Sequence, residues 1–436
     1  MIDILFLKLN NIVPEKWKWV LEHVGFKKYF KNTSWMFFGQ MFRMGIAFFM
    51  GAWIARYLGP KNYGILNYSF AFVGLFTFIT TLGISNILSR DLVKYPEKRN
   101  KLMGTSFIIQ TLGGLLAFVL VVISVVIFEQ SIFNRILIIL YASNFLWGAF
   151  GIISIFFQST VQAEKNVKIS MIGMFASLIL KVLFIIFGLN LIWLILIFIF
   201  ESLINVILSV VIYRKSGHFF VDWKFDMQYA KKLLSSGWML MLAAAASYIF
   251  TRVDQVMVRN FLDESSVGLY ASAVRLVEIW YFVPGIICSS LFPAIVNAYK
   301  NNKVQYYNRL KKLYILLAVS AILIAIPLTF FASFIINLLF GNAYQEAVGI
   351  LKIYVWSGVG LFVLWGIQQH LLIGNRLSTI FYIYLVLMIL NISLNFIFIP
   401  YFGLLGAAWA TFISYSLGPF IALILFKNNL KKFTSF

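Results

Sequence analysis

Residues 89–128 read SRDLVKYPEKRNKLMGTSFIIQTLGGLLAFVLVVISVVIF, and this stretch decides the fold. Its first part, 89–101, carries Arg90, Lys94, Lys98, Arg99 and Lys101. From Gly104 to Phe128 there is no charge at all. A continuous apolar run of about 20 residues is the length a helix needs to cross a hydrocarbon core about 30 Å thick. Apolar residues follow one another without alternation, which selects a helix over a barrel strand. Lipid offers nothing to bare backbone groups, so helices and closed barrels are the only spanning choices.

Outward from that stretch the pattern repeats along the chain. Spans are predicted near 35–58, 63–88, 104–128, 132–158, 169–188, 190–213, 232–261, 266–298, 311–331, 346–372, 378–399 and 403–426. Turn signals punctuate them: Gly59-Pro60, Gly188 with Asn190, and Pro400 with Gly403. The whole chain of 436 residues is 61% hydrophobic, 18% aromatic and only 12% charged. Soluble domains carry about 25% charged residues, so a water-soluble globule is excluded. The formal charge of +21 sits in short loops between spans, which points to anionic membrane lipid rather than nucleic acid as partner.

Of the 36 Lys and Arg residues, 27 fall in the two tails and in every second gap between spans. The alternate gaps hold only Arg56, Lys61, Arg135 and Arg259. By the positive-inside rule both termini are cytoplasmic, as an even number of spans requires. The remaining five, Arg43, Lys181, Arg252, Arg275 and Lys352, fall within spans. One cysteine, Cys288, and three scattered histidines give no disulfide and little for metal chemistry, so no cofactor is expected. Residues 1–34 mix Trp17, Trp19, Phe26 and Tyr29 with lysines, the pattern of an interfacial amphipathic helix. The division that follows is a cytoplasmic N-terminal segment 1–34, an N-lobe 35–213, a basic linker 214–231, a C-lobe 232–426 and a tail 427–436.

The halves are similar in parallel. YLGPKNYGIL at 57–66 follows the first span and NFLDESSVGLY at 260–270 follows the seventh, with Leu58 and Gly64 matching Leu262 and Gly268. FGL at 187–189 before span six returns as FGL at 402–404 before span twelve. Parallel six-helix repeats describe two bundles related by a pseudo-two-fold axis along the membrane normal, with a path between them. The predicted fold class is therefore an all-α polytopic membrane protein of about twelve transmembrane helices.

At these same residues the chain resembles the Wzx-type polysaccharide flippases of the MOP exporter superfamily. The resemblance rests on RYLGPKNYG (56–64) with LGISN (82–86) and SRD (89–91), and on RVDQVMV (252–258) with VGLYASAVRLVE (267–278). It continues in FGNAYQEA (340–347), and in NISLNFIFIP (391–400) running into FGLLGAAWAT (402–411). It implies a V-shaped pair of bundles that alternates between inward and outward states. The implied substrate is undecaprenyl-diphosphate-linked oligosaccharide, turned from the cytoplasmic to the periplasmic leaflet of a bacterial or archaeal cytoplasmic membrane. The chain is expected to act as a monomer, with polysaccharide polymerase machinery a candidate partner and protons or sodium the candidate coupling ions.

A charge at bilayer depth costs a few kcal/mol and faces a cavity or a partner. Arg43 lies about 18 Å along a helix beyond Lys31, too deep to snorkel, so it lines the central cavity or closes a buried ion pair. Lys181 and Glu201, on consecutive spans at similar depth, either pair or face the cavity. Arg275 and Glu278 share a helix face and could neutralise each other; on the path, Arg275 would touch phosphate or sugar and Glu278 would take a coupling ion. Arg252 and Asp254 point to different sides of their helix and read as members of interhelical pairs. Arg90 anchors the inner end of span two or meets the diphosphate as it arrives.

In a flippase the forked donors of Arg43, with Lys181, Arg252 and Arg275, would form a cationic hold on the diphosphate. Glu201, Asp254 and Glu278 then remain for ion coupling or ion pairs. No phosphate-binding loop or acyl-transfer triad is visible, and an enzyme with a large outer catalytic loop does not fit: the longest outer segment, about 332–345, carries no charge. The alternative is a MATE-like ion-coupled multidrug or cation antiporter, which needs acidic rather than basic intramembrane groups.

Overall fold

The computed structural model describes residues 24–374 and 376–430, with side chains described from 35 to 425 apart from 375. Most of the predicted N-terminal segment 1–34 lies outside the described residues. From Val24 the backbone is already helical and runs into the first span. Residues 431–436 of the tail also lie outside them.

Every regular element among the described residues is helical. The first, α1 (Val24–Gly74), has 51 residues. Straight, it would reach about 77 Å, more than twice a hydrocarbon core. Gly59 breaks it at φ 69°, ψ 171°, and Pro60 follows. A residue at positive φ carries a steric penalty that glycine escapes, and the proline ring fits the start of the next helical arm. Two of the predicted crossings thus sit in α1, one on each side of Gly59. The last helix, α16 (Leu377–Leu430), is broken in the same way at Gly403 (φ 56°, ψ −135°) and likewise holds two.

Between them lie α2 (Thr77–Thr81), α3 (Ser85–Lys94), α4 (Arg99–Phe128), α5 (Ile132–Ala142), α6 (Ile152–Ser159), α7 (Ala163–Ile186) and α8 (Leu191–Lys215) in the first half. The second half holds α9 (Met227–Phe261), α10 (Glu264–Glu278), α11 (Phe282–Asn301), α12 (Lys303–Phe330), α13 (Ala332–Leu339), α14 (Ala347–Tyr354) and α15 (Ser357–Ile373). Among the described residues nine helices are long and apolar enough to cross a membrane. A tenth crossing is the pair Ile132–Leu146 and Gly148–Ser159, bent by 48°.

Local chemistry sets several boundaries away from the predicted ones. The Asp226 side chain accepts from Tyr229 N at 3.0 Å and starts α9 at Met227, inside the stretch read as linker. Such a cap satisfies one of the orphan donors of a helix N-terminus. Asp263 and Asn302 cap α10 and α12 in the same manner. The outer segment 332–345 is not a plain loop, because α13 occupies most of it.

Apolar packing distinguishes the two ends of the molecule. At the end away from the basic loops one core cluster runs across both halves, with Ala55, Tyr63 and Leu137 joined to Val267, Tyr270 and Tyr354. Toward the basic end the core divides. Leu88, Phe157 and Tyr213 belong to a first-half cluster, while Cys288, Tyr306 and Leu313 belong to a second-half one. A small cluster of Ile84, Ile87 and Ile109 with Ala230 and Leu233 is the apolar bridge there among the described residues.

Gly64 and Gly268, the glycines equated by the internal repeat, meet at the continuous end. A Cβ on Gly64 would lie 1.6 Å from the Glu264 carbonyl oxygen, and one on Gly268 would lie 1.9 Å from that of Pro60. The two repeats therefore cross backbone to backbone at matched positions, as a two-fold relation between them demands.

Candidate functional site

Among the described residues, two adjoining cavities bear on the predicted charges. The larger, about 870 Å³, is walled by first-half helices only: Gln40 and Arg43 of α1, Trp147 and Gln158 around the α5–α6 bend, Asn166 and Ser170 of α7, and Glu201 and Asn205 of α8. The smaller, about 340 Å³, lies between the halves, with Tyr63 and Asn67 of α1 facing Arg252 of α9 and Arg275 and Glu278 of α10. Tyr141 and Asn144 line both, so the two spaces adjoin. The larger one extends to Gln158 and Ala163 at the α6–α7 turn, which is at the basic end.

The predicted charges separate into distinct environments. Arg43 lines the larger cavity, donates to Gln40 one turn back, and has no carboxylate within 4 Å among the described residues. Lys181 is not among the residues lining that cavity. Its ammonium lies 2.8 Å from Glu201 Oε2, 3.2 Å from Ser177 Oγ and 4.4 Å from the centre of the Phe198 ring. Glu201 does line the cavity, but with its charge held from behind by Lys181.

Arg275 and Glu278 do not pair with each other. Glu278 takes Arg252 instead, at 2.9 Å across α9 and α10. Arg275 reaches the other way, into the first half, where it donates to the Ala47 carbonyl and approaches Tyr63 Oη at 3.4 Å. Gly51 makes that reach possible, since its missing Cβ would sit 1.8 Å from the guanidinium. Ala47, which accepts from Arg275, is four residues beyond Arg43, about 6 Å along the axis of α1.

Asp254 takes no place in either cavity. It is 2% exposed and accepts from Tyr270 Oη at 2.6 Å and from Gln255 N at 2.8 Å. Tyr270 Oη in turn lies 3.2 Å from Thr411 Oγ1 on α16. Arg90 is exposed midway along α3, 3.0 Å from its neighbour Asp91, which itself lies 3.3 Å from Tyr229 Oη.

Of the intramembrane asparagines, Asn144 and Asn205 reach the larger cavity. Asn391 and Asn395 instead form buried ties, Asn391 donating to Ser414 at 3.0 Å and Asn395 to Asn391 at 3.0 Å. Tyr63, Tyr141 and Tyr248 were not legible as cavity residues. In an apolar span a tyrosine reads as core, and its fate depends on contacts with helices far along the chain.

The fold defines the class first. The chain is similar to an inward-facing multidrug resistance MATE family transporter of the MOP superfamily, with TM-score 0.77 at 13% identity, over 91% of this chain and 96% of that one. It is also similar to the lipid II flippase MurJ in an inward closed conformation, with TM-score 0.72 at 18% identity, over 89% and 87% of the two chains. It is a polytopic all-α membrane protein of the MOP-type fold. Within that class it belongs to the Polysaccharide biosynthesis protein family, which residues 29–299 match.

A putative O-antigen transporter of Shigella flexneri is 24% identical over 417 residues, 87% of this chain and 93% of that protein. A probable low-salt glycan biosynthesis flippase of Haloferax volcanii is 25% identical over 216 residues, 47% of this chain. That match spans only 43% of the Haloferax protein's length.

Proposed function

We propose that the chain turns undecaprenyl-diphosphate-linked oligosaccharide units from the cytoplasmic to the outer leaflet of the cytoplasmic membrane, by alternating access, for cell-surface polysaccharide assembly. The observation that carries this reading is the pair Arg43 and Arg275. Among the described residues neither has a carboxylate within 4 Å, and both address one stretch of α1 beside adjoining cavities. Uncompensated guanidinium groups at bilayer depth are costly, and an anionic cargo that lies between them offsets that cost. Arg presents forked donors to phosphate oxygens, and a diphosphate offers acceptors on two neighbouring groups. Family membership and the glycan flippases among the relatives support the same cargo class.

Lys181 and Arg252 drop out of the hold, because Glu201 and Glu278 neutralise them. That same pairing weighs against a cation antiporter, which needs free carboxylates in its path. Coupling to protons or sodium falls to Asp254 with Tyr270 and Thr411, where a carboxylate sits without a cationic partner among the described residues. The gathered basic loops support cytoplasmic termini.

The test is complementation of a deletion strain. Arg43→Ala and Arg275→Ala should each abolish surface polysaccharide while immunoblots show normal protein in the membrane. Normal glycan in both variants would remove this site assignment. A deletion strain with intact surface glycan and heightened drug sensitivity would replace the flippase reading with the antiporter.

A further inference from the structure

We propose that the larger cavity is a carbohydrate subsite for an uncharged glycan, with Trp147 as the platform for a sugar ring. The proposal rests on the lipid-linked oligosaccharide reading above and specifies its sugar class.

The wall is polar but almost without net charge. Its ionic groups are Arg43, toward one side, and Glu201, whose charge Lys181 already balances. The rest is amide and hydroxyl. Ser170 and Ser209 donate their protons to the Asn166 and Asn205 carbonyl oxygens, at 2.8 and 2.7 Å. What these two present to the cavity is therefore oxygen lone pairs, and Glu201 adds acceptors alone. A wall that accepts at these oxygens and donates through amides such as Gln158 and Asn205 suits sugar hydroxyls, which do both. It offers a uronate carboxylate no free cation once the diphosphate occupies Arg43, because Lys181 is already held by Glu201.

Trp147 stands at the bend between α5 and α6, and its indole N–H donates to Ser202 Oγ at 2.9 Å, which fixes the ring. Beside it Gly148 and Gly151 line the same cavity, and a Cβ on either would meet nothing within 4 Å. Fixed aromatic surface next to open room is what a pyranose ring needs, since its C–H face is apolar and its rim is polar. A tryptophan packed in the core would have left no such space beside it.

The experiment uses the full chain in lipid nanodiscs, with binding followed by native mass spectrometry. Three probes are offered: bare undecaprenyl diphosphate, the same lipid with a neutral hexose and N-acetylhexosamine trisaccharide, and the same lipid with a uronic-acid trisaccharide. The neutral glycolipid should bind about tenfold tighter than the bare lipid, the scale of one well-placed aromatic contact with its hydrogen bonds. The uronate probe should gain nothing over the bare lipid. Trp147→Ala should bring the neutral probe down to the bare-lipid level without changing the bare lipid, and Trp147→Phe should keep most of the gain. Gly151→Leu, which adds bulk into open space at a helical φ, should abolish the gain in a chain that still folds.

The proposal is overturned if the uronate probe binds as well as the neutral one, or if the neutral glycan adds no affinity. It is equally overturned if Trp147→Ala and Gly151→Leu weaken the bare lipid as much as the glycolipid. Failure of the underlying reading looks different: the bare lipid would not bind, or its binding would ignore Arg43→Ala.

Discussion

Two glycines show how much a single absent methyl group decides. At Gly268 the nearest obstacle to a Cβ is the Pro60 carbonyl at 1.9 Å, and backbone on both sides prevents either helix from giving way. At Gly173 the obstacle is the Asn205 amide at 2.3 Å, the free end of a side chain. Overpacking of a rigid contact costs about 1–3 kcal/mol or more, whereas a side chain that can rotate relieves the clash. Gly268→Ala should therefore lower the thermal midpoint in detergent by several degrees. Gly173→Ala should leave it nearly unchanged while it pushes Asn205 from its seat in the cavity wall. Equal midpoints for the two variants would refute the backbone crossing. The match of Gly64 with Gly268 was legible in the repeat. Its meaning was not, because contact across 204 positions leaves no trace in local periodicity. The pairing of Arg252 with Glu278 was hidden for the same reason: three-residue spacing made Arg275 the nearer partner on paper, and only the α9–α10 packing brings Arg252 closer.

Among elements, the stretch between α8 and α9 departs most from its reading as a plain basic linker. Lys224 N donates to Asn100 O at 3.1 Å and Asp226 N to Thr105 Oγ1 at 2.9 Å, with Gly104 leaving room for the approach. Lys101 and Asp226 add a 3.3 Å ion pair, and His218 Nδ1 lies 3.0 Å from Arg99. The first half thus grips the chain before α9 begins. Burial, and then the Arg99 charge, hold the His218 imidazole below its ordinary value of about 6.5. A group whose folded value is depressed favours the fold above its unfolded value and loses that contribution as pH falls. Between pH 7.5 and 5.5 the amide protection factors across 216–226, corrected for the intrinsic slowing of exchange at lower pH, should fall, and His218→Gln should flatten the dependence. Unchanged protection factors over that range would dismiss His218 as the sensor. The spans themselves were legible, since a run of about 20 apolar residues admits one solution in lipid. Their internal breaks were less so. Leu82 and Gly83 at positive φ interrupt the second crossing where Gly237 packs against the Leu82 carbonyl, and that reason lies on another helix.

For the whole molecule, the repeat could be read from the matched loops and the charges set an expected orientation, but the way the halves close could not be read. The continuous apolar core marks the end opposite the basic loops as the closed one, and polar contacts reinforce it. Tyr344 Oη donates to the Ala55 carbonyl at 2.6 Å, from the second half to the first. Arg259 at the end of α9 reaches Glu129 of the first half at 3.3 Å and Glu264 of its own half at 3.0 Å. Glu129 is only 3% exposed and also accepts from Ser131 N at 3.0 Å. On the proposed alternating-access reading, release of cargo at this end requires the Arg259–Glu129 bond to open, so the bond should set the population of the closed state. Removing one partner of a buried pair is the costly change, about 3–5 kcal/mol, because it strands the other charge. Arg259→Gln strands Glu129 beside Glu264, whereas Glu129→Gln leaves Arg259 with Glu264. The first variant should therefore shift the equilibrium further toward opening at this end than the second. Spin labels at the exposed positions Ile132 and Phe402 can follow this by pulsed electron resonance. The native chain should give one short distance. Arg259→Gln should add a longer component at the expense of the short one, and Glu129→Gln a smaller fraction of it. If Arg259→Gln gives the native distribution, the ion pair is packing decoration and the glycine crossing alone holds the halves together.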